Sequence, residues 1–353
     1  MSTALCTYKY EKYLKYINIL PSGAIAIGAN FTIDGFSNRP IRVITHAHAD
    51  HILGLEDSLK YSRYIVATPI TLDLVVALGY ISRDLLPALR HKSLPLGYHQ
   101  SFSFNGEELE FYNSDHIPGS AQVLIKLRDQ GILVGYTGDF KLTANTEIMH
   151  GVNVLITEAT YGNPLQTRSF KESIPEILVD LVLEGLTKYK RVYIYAYHGK
   201  VQEVMNILRS SGVEVPFVLP EKIYQATKLL EEKYGFNYGQ YYRENGKMSR
   251  LSDRLIVFKH FNAAKDRKLD GSSLHIVLTG RFAQEPFMKV DDHTYVVSLS
   301  GHADFADIVK YVNLVNPELV VIDGSRSHEA EMLKRFLLEH GFCAIVLPGG
   351  NFT

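Results

Sequence analysis

The sequence predicts an α/β protein of two structural units, and its length, composition and pattern of apolar runs carry this prediction. The chain has 353 residues, of which 46% are hydrophobic, so it can bury a large core. A domain takes roughly 100–200 residues, which favours two units. Short β-branched runs recur, and a helical pattern usually follows each one, which indicates buried strands alternating with helices. The runs stop at or just before polar residues: 41–44 before Thr45, 132–136 before Asp139, 152–157 before Glu158, 295–299 before His302, and 319–322 before Asp323.

The helix signals are also readable from the sequence. Thr68 is a plausible N-cap because Pro69 follows it at the first helical position, and the pattern stops near Gly79. The segment 329–339 is strongly helical and is followed by Gly341, a residue typical of helix C-termini. These signals support the alternation of strands and helices.

The middle of the chain, residues 165–285, differs in character from the segments on either side. It has one strand pattern, at 192–197, and three helical patterns, at 173–190, 200–210 and 221–234. His198 is the one strand-end residue there that is suited to chemistry. We therefore expect an inserted domain at 165–289, while 1–164 and 290–353 form the two parts of the first domain.

Charge and apolar pattern exclude several classes of protein. Lys and Arg number 37 and Asp and Glu 38, a net charge of −1, whereas proteins that bind polyanions often have a basic excess. Every apolar run is shorter than the roughly 18 residues of a membrane-spanning helix, and the first residues lack a secretory signal. Two cysteines, Cys6 and Cys343, are too few for a disulfide framework or a thiolate cluster. We therefore expect a cytoplasmic protein in a reducing compartment, with no membrane partner.

The strongest indication of chemistry is the run Thr45-His46-Ala47-His48-Ala49-Asp50-His51 at the end of a predicted strand. His46 and His48 project to the same side of an extended chain, whereas Asp50 and His51 begin a helix and turn toward a second point. Imidazole and carboxylate ligands at this density suit Zn²⁺. The alternative is an exposed histidine-rich loop, but strand ends are where α/β folds build their sites.

Three further residues, two after this run and one before it, could complete a metal site. His116 precedes a Pro-Gly turn, and Asp139 follows Thr-Gly at a strand end. Taken singly, each is more often a turn or cap residue. Asp34 follows the strand pattern 31–33 and could orient a ligand from behind, although a simple turn explains it equally well.

Together these residues resemble the motifs of a known family. Motifs 1 to 4 of the metallo-β-lactamase superfamily are matched by Asp34, His46-x-His48-x-Asp50-His51, His116 and Asp139. Motifs A and B of its nucleic-acid-processing β-CASP branch are matched by Thr157-Glu158-Ala159-Thr160-Tyr161-Gly162 and by Ser298-Leu299-Ser300-Gly301-His302-Ala303-Asp304. The turn Tyr197-His198-Gly199-Lys200 resembles the start of the β-CASP cap. The sequence is most similar to the cleavage-and-polyadenylation type of RNA-processing nuclease, which implies a four-layer αβ/βα metallo-β-lactamase fold with an inserted smaller α/β cap.

The resemblance also implies roles for these residues. In the family pattern, one zinc ion is held by His46, His48 and His116, a second by Asp50 and His51, and both by Asp139. Asp50 then orients a metal-bound hydroxide that attacks the phosphodiester bond. His302, paired with Glu158, protonates the leaving oxygen. The implied activity is zinc-dependent hydrolysis of RNA, with one or two zinc ions per chain.

One position departs from the family pattern. RNA-processing members have a histidine, called motif C, at the end of the last buried strand, and DNA-repair members typically have a valine. This chain has Asp323 there. We expect Asp323 to ligate the second metal through oxygen, which would admit Mn²⁺ at that site. The alternatives are that His328 reaches the metal or that neither residue binds it.

A cap over the first domain would make the active site a cleft, which suits a flexible single strand better than a duplex. We therefore expect single-stranded RNA as the substrate, in RNA processing or decay, with His198 and Lys200 binding phosphate at a strand-to-helix turn; a plain turn is the alternative for these two. Two other functions stay open: a DNA exonuclease of the repair or ligase-associated type, and an inactive RNA-binding subunit. A partner protein is expected to supply sequence specificity, and a homodimer is also open.

Overall fold

The computed structural model describes residues 3–244, 252–265 and 269–349, and the chain forms two compact units. The first unit contains the residues up to Leu165 together with those from His302 onward, and the second contains Gln166–Gly301. Both units combine β-sheets with α-helices, so the predicted α/β class is confirmed.

The strands and helices that the described residues form are numbered in chain order. The strands are β1 (Ile17–Ile19), β2 (Ile25–Ile27), β3 (Phe31–Ile33), β4 (Ile41–Val43), β5 (Tyr64–Ala67), β6 (Ser93–Pro95), β7 (Ser101–Phe104), β8 (Glu107–Asn113), β9 (Ala121–Leu127), β10 (Ile132–Tyr136), β11 (Val154–Thr157), β12 (Arg191–Ala196), β13 (Phe217–Leu219), β14 (Tyr241–Arg243), β15 (Leu255–His260), β16 (Leu274–Leu278), β17 (Phe287–Asp291), β18 (Thr294–Val297), β19 (Leu319–Asp323) and β20 (Ala344–Leu347). The helices are α1 (Thr3–Lys9), α2 (Glu11–Leu14), α3 (Ala49–Ile52), α4 (Leu55–Tyr61), α5 (Pro69–Ala77), α6 (Leu86–Lys92), α7 (Ile174–Tyr189), α8 (Lys200–Ser210), α9 (Glu221–Tyr234), α10 (Phe305–Val315) and α11 (Ala330–Glu339). None of these helices is both long enough and apolar enough to cross a membrane.

The first unit contains two sheets. One has the strand order β1-β2-β3-β4-β5-β6, and it is antiparallel up to β3 and parallel from β3 onward. The other has the order β20-β19-β11-β10-β9-β8-β7, with β20 to β10 parallel and β10 to β7 antiparallel. Because the carboxyl ends of parallel strands meet at one edge of a sheet, the residues after β10 and β11 and at the end of β19 lie near one another.

An apolar core fills the space between these two sheets, with residues such as Ile33 and Val43 from one sheet and Phe111 and Val134 from the other. On the outer face of the second sheet, α10 and α11 bury apolar side chains into a separate core. On the first sheet, α5 contacts β6 and α6 contacts β5. The unit is therefore layered as helices, sheet, sheet and helices, and the predicted four-layer arrangement is confirmed.

The described residues of the second unit form one sheet, ordered β14-β13-β15-β12-β16-β18-β17, and among these strands the last pair is antiparallel and the others are parallel. The helical patterns that the sequence showed in this region correspond to α7, α8 and α9. The sequence predicted that the chain re-enters the first domain at residue 290. However, β18 forms a backbone ladder with β16, from His275 opposite Thr294 to Leu278 opposite Val297. Those hydrogen bonds keep the strand in the second unit, so the structural division comes at Gly301.

The two cysteines correct an expectation drawn from their low number. Cys6 in α1 and Cys343, just before β20, form a disulfide with a Cα–Cα distance of 5.4 Å. The pair forms because α1 packs against β20, a contact between residues 337 positions apart that local sequence cannot indicate. The expectation of a reducing compartment rested on the cysteine count, and the disulfide removes that basis.

Candidate active site

The first unit gathers most of the predicted site residues at strand ends. The histidine-rich run follows β4 and enters α3 at Ala49, while His116 lies between β8 and β9. Asp139 follows β10, and Glu158 follows β11 directly. A backbone hydrogen bond from the amide of Ala121 to the carbonyl of Thr45, 2.9 Å long, joins the loop after β4 to the start of β9.

Four side chains converge on one point: His46, His48, His116 and Asp139. His48 Nδ1 lies 3.1 Å from both His46 Nε2 and His116 Nε2. Asp139 Oδ2 lies 3.5 Å from His46 Nε2 and 3.7 Å from His116 Nε2. All the possible ligand atoms lie within 4.8 Å of one another.

These spacings fit a tetrahedral zinc ion. Zinc binds histidine nitrogen and carboxylate oxygen at about 2.0–2.2 Å, which places neighbouring ligand atoms of a tetrahedron roughly 3.3–3.5 Å apart. The observed separations of 3.1 to 3.7 Å bracket that value. Three nitrogen donors and one oxygen donor are also a set that zinc accepts. The residues therefore fit a first divalent metal ion.

A second group lies beside the first and shares Asp139 with it. His51 Nε2 is 3.3 Å from Asp50 Oδ2 and 3.3 Å from Asp139 Oδ2. This nitrogen is buried and has no hydrogen-bond partner among the described residues, which is costly for a polar atom unless something else satisfies it. A metal ion held by Asp50, His51 and Asp139 would satisfy it.

The buried Asp34 orients both groups from behind. Its carboxylate accepts hydrogen bonds from the Thr45 amide at 2.9 Å, from Thr45 Oγ1 at 2.6 Å and from His51 Nδ1 at 2.8 Å. Since Thr45 Oγ1 donates to Asp34, it is free to accept from His46 Nδ1, which lies 3.0 Å away. Both histidines then carry a proton on Nδ1, so Nε2 is the atom that each presents toward the metal positions.

The electrostatics of the site distinguish His46 from His51, two of the three histidines of the run. Burial, reinforced by the neighbouring His51, lowers the pKa of His46 well below its usual value, so this imidazole is neutral and ready to ligate. Burial opposes charge on His51 as well, but Asp139 and Asp34 raise its pKa well above the usual value. Burial likewise disfavours ionisation of Asp139, yet His51 and His302 hold its pKa well below the usual range. His51 and Asp139 therefore each favour the charged form of the other.

A serine fixes the loop that carries His116. Ser120 Oγ accepts hydrogen bonds from the backbone amides of His116 at 3.0 Å and Ile117 at 3.2 Å, and from Ser114 Oγ at 2.9 Å. Asp115 adopts a positive φ of 52° directly before His116. Because its backbone is held in this way, His116 can present Nε2 to the metal position with little reorganisation.

Glu158 and His302 form a second polar pair beside the metal ligands. His302 Nδ1 lies 2.9 Å from Glu158 Oε2 and 3.9 Å from Asp139 Oδ2. Glu158 Oε1 accepts a hydrogen bond from the Phe140 amide at 2.8 Å, and Oε2 accepts one from the Thr160 hydroxyl at 2.5 Å. The His302 side chain is 25% exposed, whereas that of Glu158 is 6% exposed. A held carboxylate with a partly exposed histidine is suited to proton transfer at the mouth of the site.

Two predicted alternatives for the second metal lie outside these groups. Asp323 is buried at the end of β19, and its carboxylate accepts hydrogen bonds from the Ser325 amide and from Arg326 Nη1, each at 2.8 Å. His328 is exposed. Neither residue belongs to a group of possible metal ligands within the described part of the chain.

His198 and Lys200, predicted to bind phosphate, lie in the second unit. His198 is buried after β12, and Lys200 is the half-buried first residue of α8. Gly199 between them has a φ of 84°, and its amide donates to Gln202 Oε1 at 2.8 Å. The predicted strand-to-helix turn is therefore present.

Sequence reasoning missed three residues that organise the site, namely Thr45, Ser120 and Arg326. Thr45 and Ser120 stand inside the recognised motifs, so a small hydroxyl residue beside a ligand was the available indication. Arg326 gave no such indication, because its role depends on a contact with Asp34, 292 positions away.

No family model matches the chain, but several curated proteins are similar to it, including the following two. An uncharacterized protein in the lig 3′ region of Acidianus ambivalens is 37% identical over 140 residues, which are 40% of this chain and 98% of that protein. The probable RNase MJ4 of Methanocaldococcus jannaschii is 24% identical over 86% of this chain and 85% of its own length.

A solved structure is similar in fold. The crystal structure of a protein of unknown function from Enterococcus faecalis V583 superposes with a TM-score of 0.55 at 17% sequence identity. The match covers 88% of this chain and 79% of that one. At this level of identity the likeness supports the α/β fold alone.

Proposed function

The chain belongs to the β-CASP branch of the metallo-β-lactamase superfamily, as its similarity to RNase J-like and DNA cross-link repair SNM1 proteins shows, and from this premise we propose that it is a metal-dependent nuclease that hydrolyses phosphodiester bonds of RNA. One observation carries the proposal: the convergence of His46, His48, His116 and Asp139 on a single point beside the Glu158–His302 pair. The first group suits a divalent metal, and the second suits a proton donor.

We propose a place for each metal ion from the positions of the possible ligand atoms. His46, His48, His116 and Asp139 would hold the first ion, for which their three nitrogens favour Zn²⁺. Asp50, His51 and Asp139 would hold the second, where the higher share of oxygen also admits Mn²⁺. When bound, such ions lower the pKa of water to near neutrality and stabilise negative charge on the phosphoryl oxygens.

The protein's own residues complete the chemistry. The Asp50 side chain is 60% exposed, so its free oxygen is placed to accept a hydrogen bond from the attacking water and orient it. Glu158 accepts a hydrogen bond from the Nδ1–H of His302 and so stabilises the imidazolium form. His302 then donates its Nε2 proton to the leaving oxygen, which would otherwise depart as a strongly basic alkoxide.

The RNA preference is supported by similarity to a protein named as a probable RNase. In the second unit, Lys200 at the start of α8 is proposed to contact a phosphate, with the buried His198 fixing the turn before it. The intact first ligand set argues against an inactive RNA-binding subunit, because such a subunit has no need of four converging metal ligands.

Parallel cleavage assays test the proposed function. The protein is loaded with Zn²⁺ or Mn²⁺ and given single-stranded RNA and DNA of the same sequence, each labelled at the 5′ end. We expect cleavage of RNA and its loss in His116→Ala, while His91→Ala, which changes an exposed histidine at the end of α6, retains it. Cleavage of DNA alone would support the DNA exonuclease instead, and no cleavage of either strand with metal bound would refute both.

A further inference from the structure

The carboxyl end of β19 holds an ion pair where the family pattern has a metal ligand. Asp323 is 3% exposed, and its two oxygens have different partners. Oδ1 accepts a hydrogen bond from the Ser325 amide at 2.8 Å, and Oδ2 accepts one from Arg326 Nη1, also at 2.8 Å. The carboxylate is therefore engaged on both sides by its own loop.

The guanidinium of Arg326 is itself fixed. Its Nη2 donates to the backbone carbonyl of Asp34 at 2.6 Å. Gly23 makes room for it, since a Cβ added there would lie 2.7 Å from Nη2. The side chain of Arg326 is 18% exposed, so its charge is only partly screened by water. The loop after β19, the turn at Gly23 and the turn at Asp34 thus enclose one buried cation.

This cation stays charged. Burial by itself would lower the pKa of Arg326, but Tyr136 and the carboxylates of Asp323, Asp34 and Asp139 together raise it. Asp139 is also the residue shared by the two metal groups. A fixed positive charge that interacts with Asp139 opposes a second divalent cation on the same carboxylate.

We propose that the Asp323–Arg326 ion pair takes the place of a fourth protein ligand to the second metal, so that the chain binds one ion tightly and a second only weakly. Asp50, His51 and Asp139 supply the ligands of the weak site. If Asp323 turned to a metal, the guanidinium would stay buried without its counter-charge, which is strongly unfavourable. The inference rests on the metal dependence of the proposed function and is independent of its substrate.

Metal binding measured without substrate tests the inference. Chelator-treated protein is titrated with Zn²⁺ in competition with a chromophoric chelator, and the bound ions are counted by native mass spectrometry. We expect one ion with high affinity and a second with a Kd at least a hundredfold higher. Two ions bound within tenfold of each other would overturn the inference and leave the proposed function standing. Absence of any bound zinc would overturn both.

Two variants decide the role of Asp323 by the direction of change. Arg326→Gln frees the carboxylate and removes the cation, so the second ion should bind at least threefold more tightly, and any smaller tightening or any weakening overturns the inference. Asp323→Asn keeps the shape but is a poor metal ligand, so the Kd of the second ion should change less than threefold. A larger weakening would show that Asp323 is a ligand. Arg335→Gln, on the exposed side of α11, is the matched control for loss of an arginine.

Discussion

Replacement of His302 tests the proton donor of the proposed reaction. His302→Ala removes a partly exposed imidazole that lies 2.9 Å from Glu158 and 3.9 Å from Asp139. General acid catalysis by a positioned side chain contributes about 10²–10⁴ in rate. We therefore expect the turnover of RNA to fall by about that factor, while the number of bound metal ions is unchanged.

The contribution of Glu158 follows from the same pair. A hydrogen bond that involves a charged group is worth about 1.5–3 kcal/mol, and each 1.36 kcal/mol of barrier is a factor of ten in rate. Glu158→Gln should therefore slow the reaction about 10- to 100-fold. Because the two residues act as one unit, the double variant should be no slower than His302→Ala alone.

The leaving group distinguishes a proton donor from a residue that only supports the fold. RNA is compared with bis(4-nitrophenyl) phosphate, whose nitrophenolate departs without a proton. His302→Ala should lose 10²–10⁴ in rate on RNA and less than about tenfold on the aryl ester, since only the first needs the acid. His91→Ala is the control for histidine removal.

Two results would refute the assigned role of His302. Equal losses on both substrates would show that the residue acts before or apart from leaving-group departure. Loss of one metal equivalent in His302→Ala would show that His302 is a ligand, as its grouping with Asp139 and Glu158 allows.

Three further predictions concern the support of the metal ligands. Asp34→Ala leaves His51 Nδ1–H and a backbone N–H buried without their acceptor, so the free energy of unfolding of the metal-free protein should fall by about 2–6 kcal/mol; Asp34→Asn should lose less, and equal urea midpoints for wild type and Asp34→Ala would contradict this. Burial lowers the pKa of His51, but the charges of Asp139 and Asp34 raise it to well above its usual value. Protonated His51 therefore stabilises the metal-free fold fully at a pH below its unfolded pKa of about 6.5. This stabilisation is lost as the pH rises through the raised pKa of the folded state. Zinc that occupies the His51 site at pH 7 should accordingly release a proton into unbuffered solution, and titration without proton release would contradict the protonated state. Ser120→Ala should weaken the first zinc about 10- to 100-fold in a chelator competition, because the amide of His116 loses its acceptor; unchanged affinity would show that the loop holds its shape alone.

Local patterns in the sequence were sufficient for the helices of the second unit, whereas the first metal group needed the family resemblance. The helical periods of the second unit predicted α7, α8 and α9 because each buries one face and needs only neighbours along the chain. The first ligand group was implied by the family resemblance, because His46, His116 and Asp139 match its motifs in order, although His116 and Asp139 taken singly are more often turn or cap residues.

Long-range side-chain pairing could not be predicted in the same way. Asp323 has the chemistry of a metal ligand, and only the position of Arg326 in three dimensions reveals that its carboxylate is already engaged. The end of the second unit was misplaced for a related reason. An apolar strand pattern at 294–297 does not indicate which sheet the strand will join. In the structure, its backbone hydrogen bonds to β16 place it in the sheet of the second unit.

The disulfide between Cys6 and Cys343 changes the covalent topology of the first unit. That unit is made of two chain segments separated by the inserted second unit, and the disulfide joins the segments near their outer ends across 337 positions. In chain-entropy terms, closing so long a loop raises the free energy of the unfolded ensemble by about 6 kcal/mol. The backbone and the disulfide together form a ring, so one cut anywhere in the second unit leaves a single molecule whose new ends lie in that unit. The segment before the insertion, which carries the proposed metal ligands, and the segment after it, which carries His302, are thus held together by two independent covalent routes.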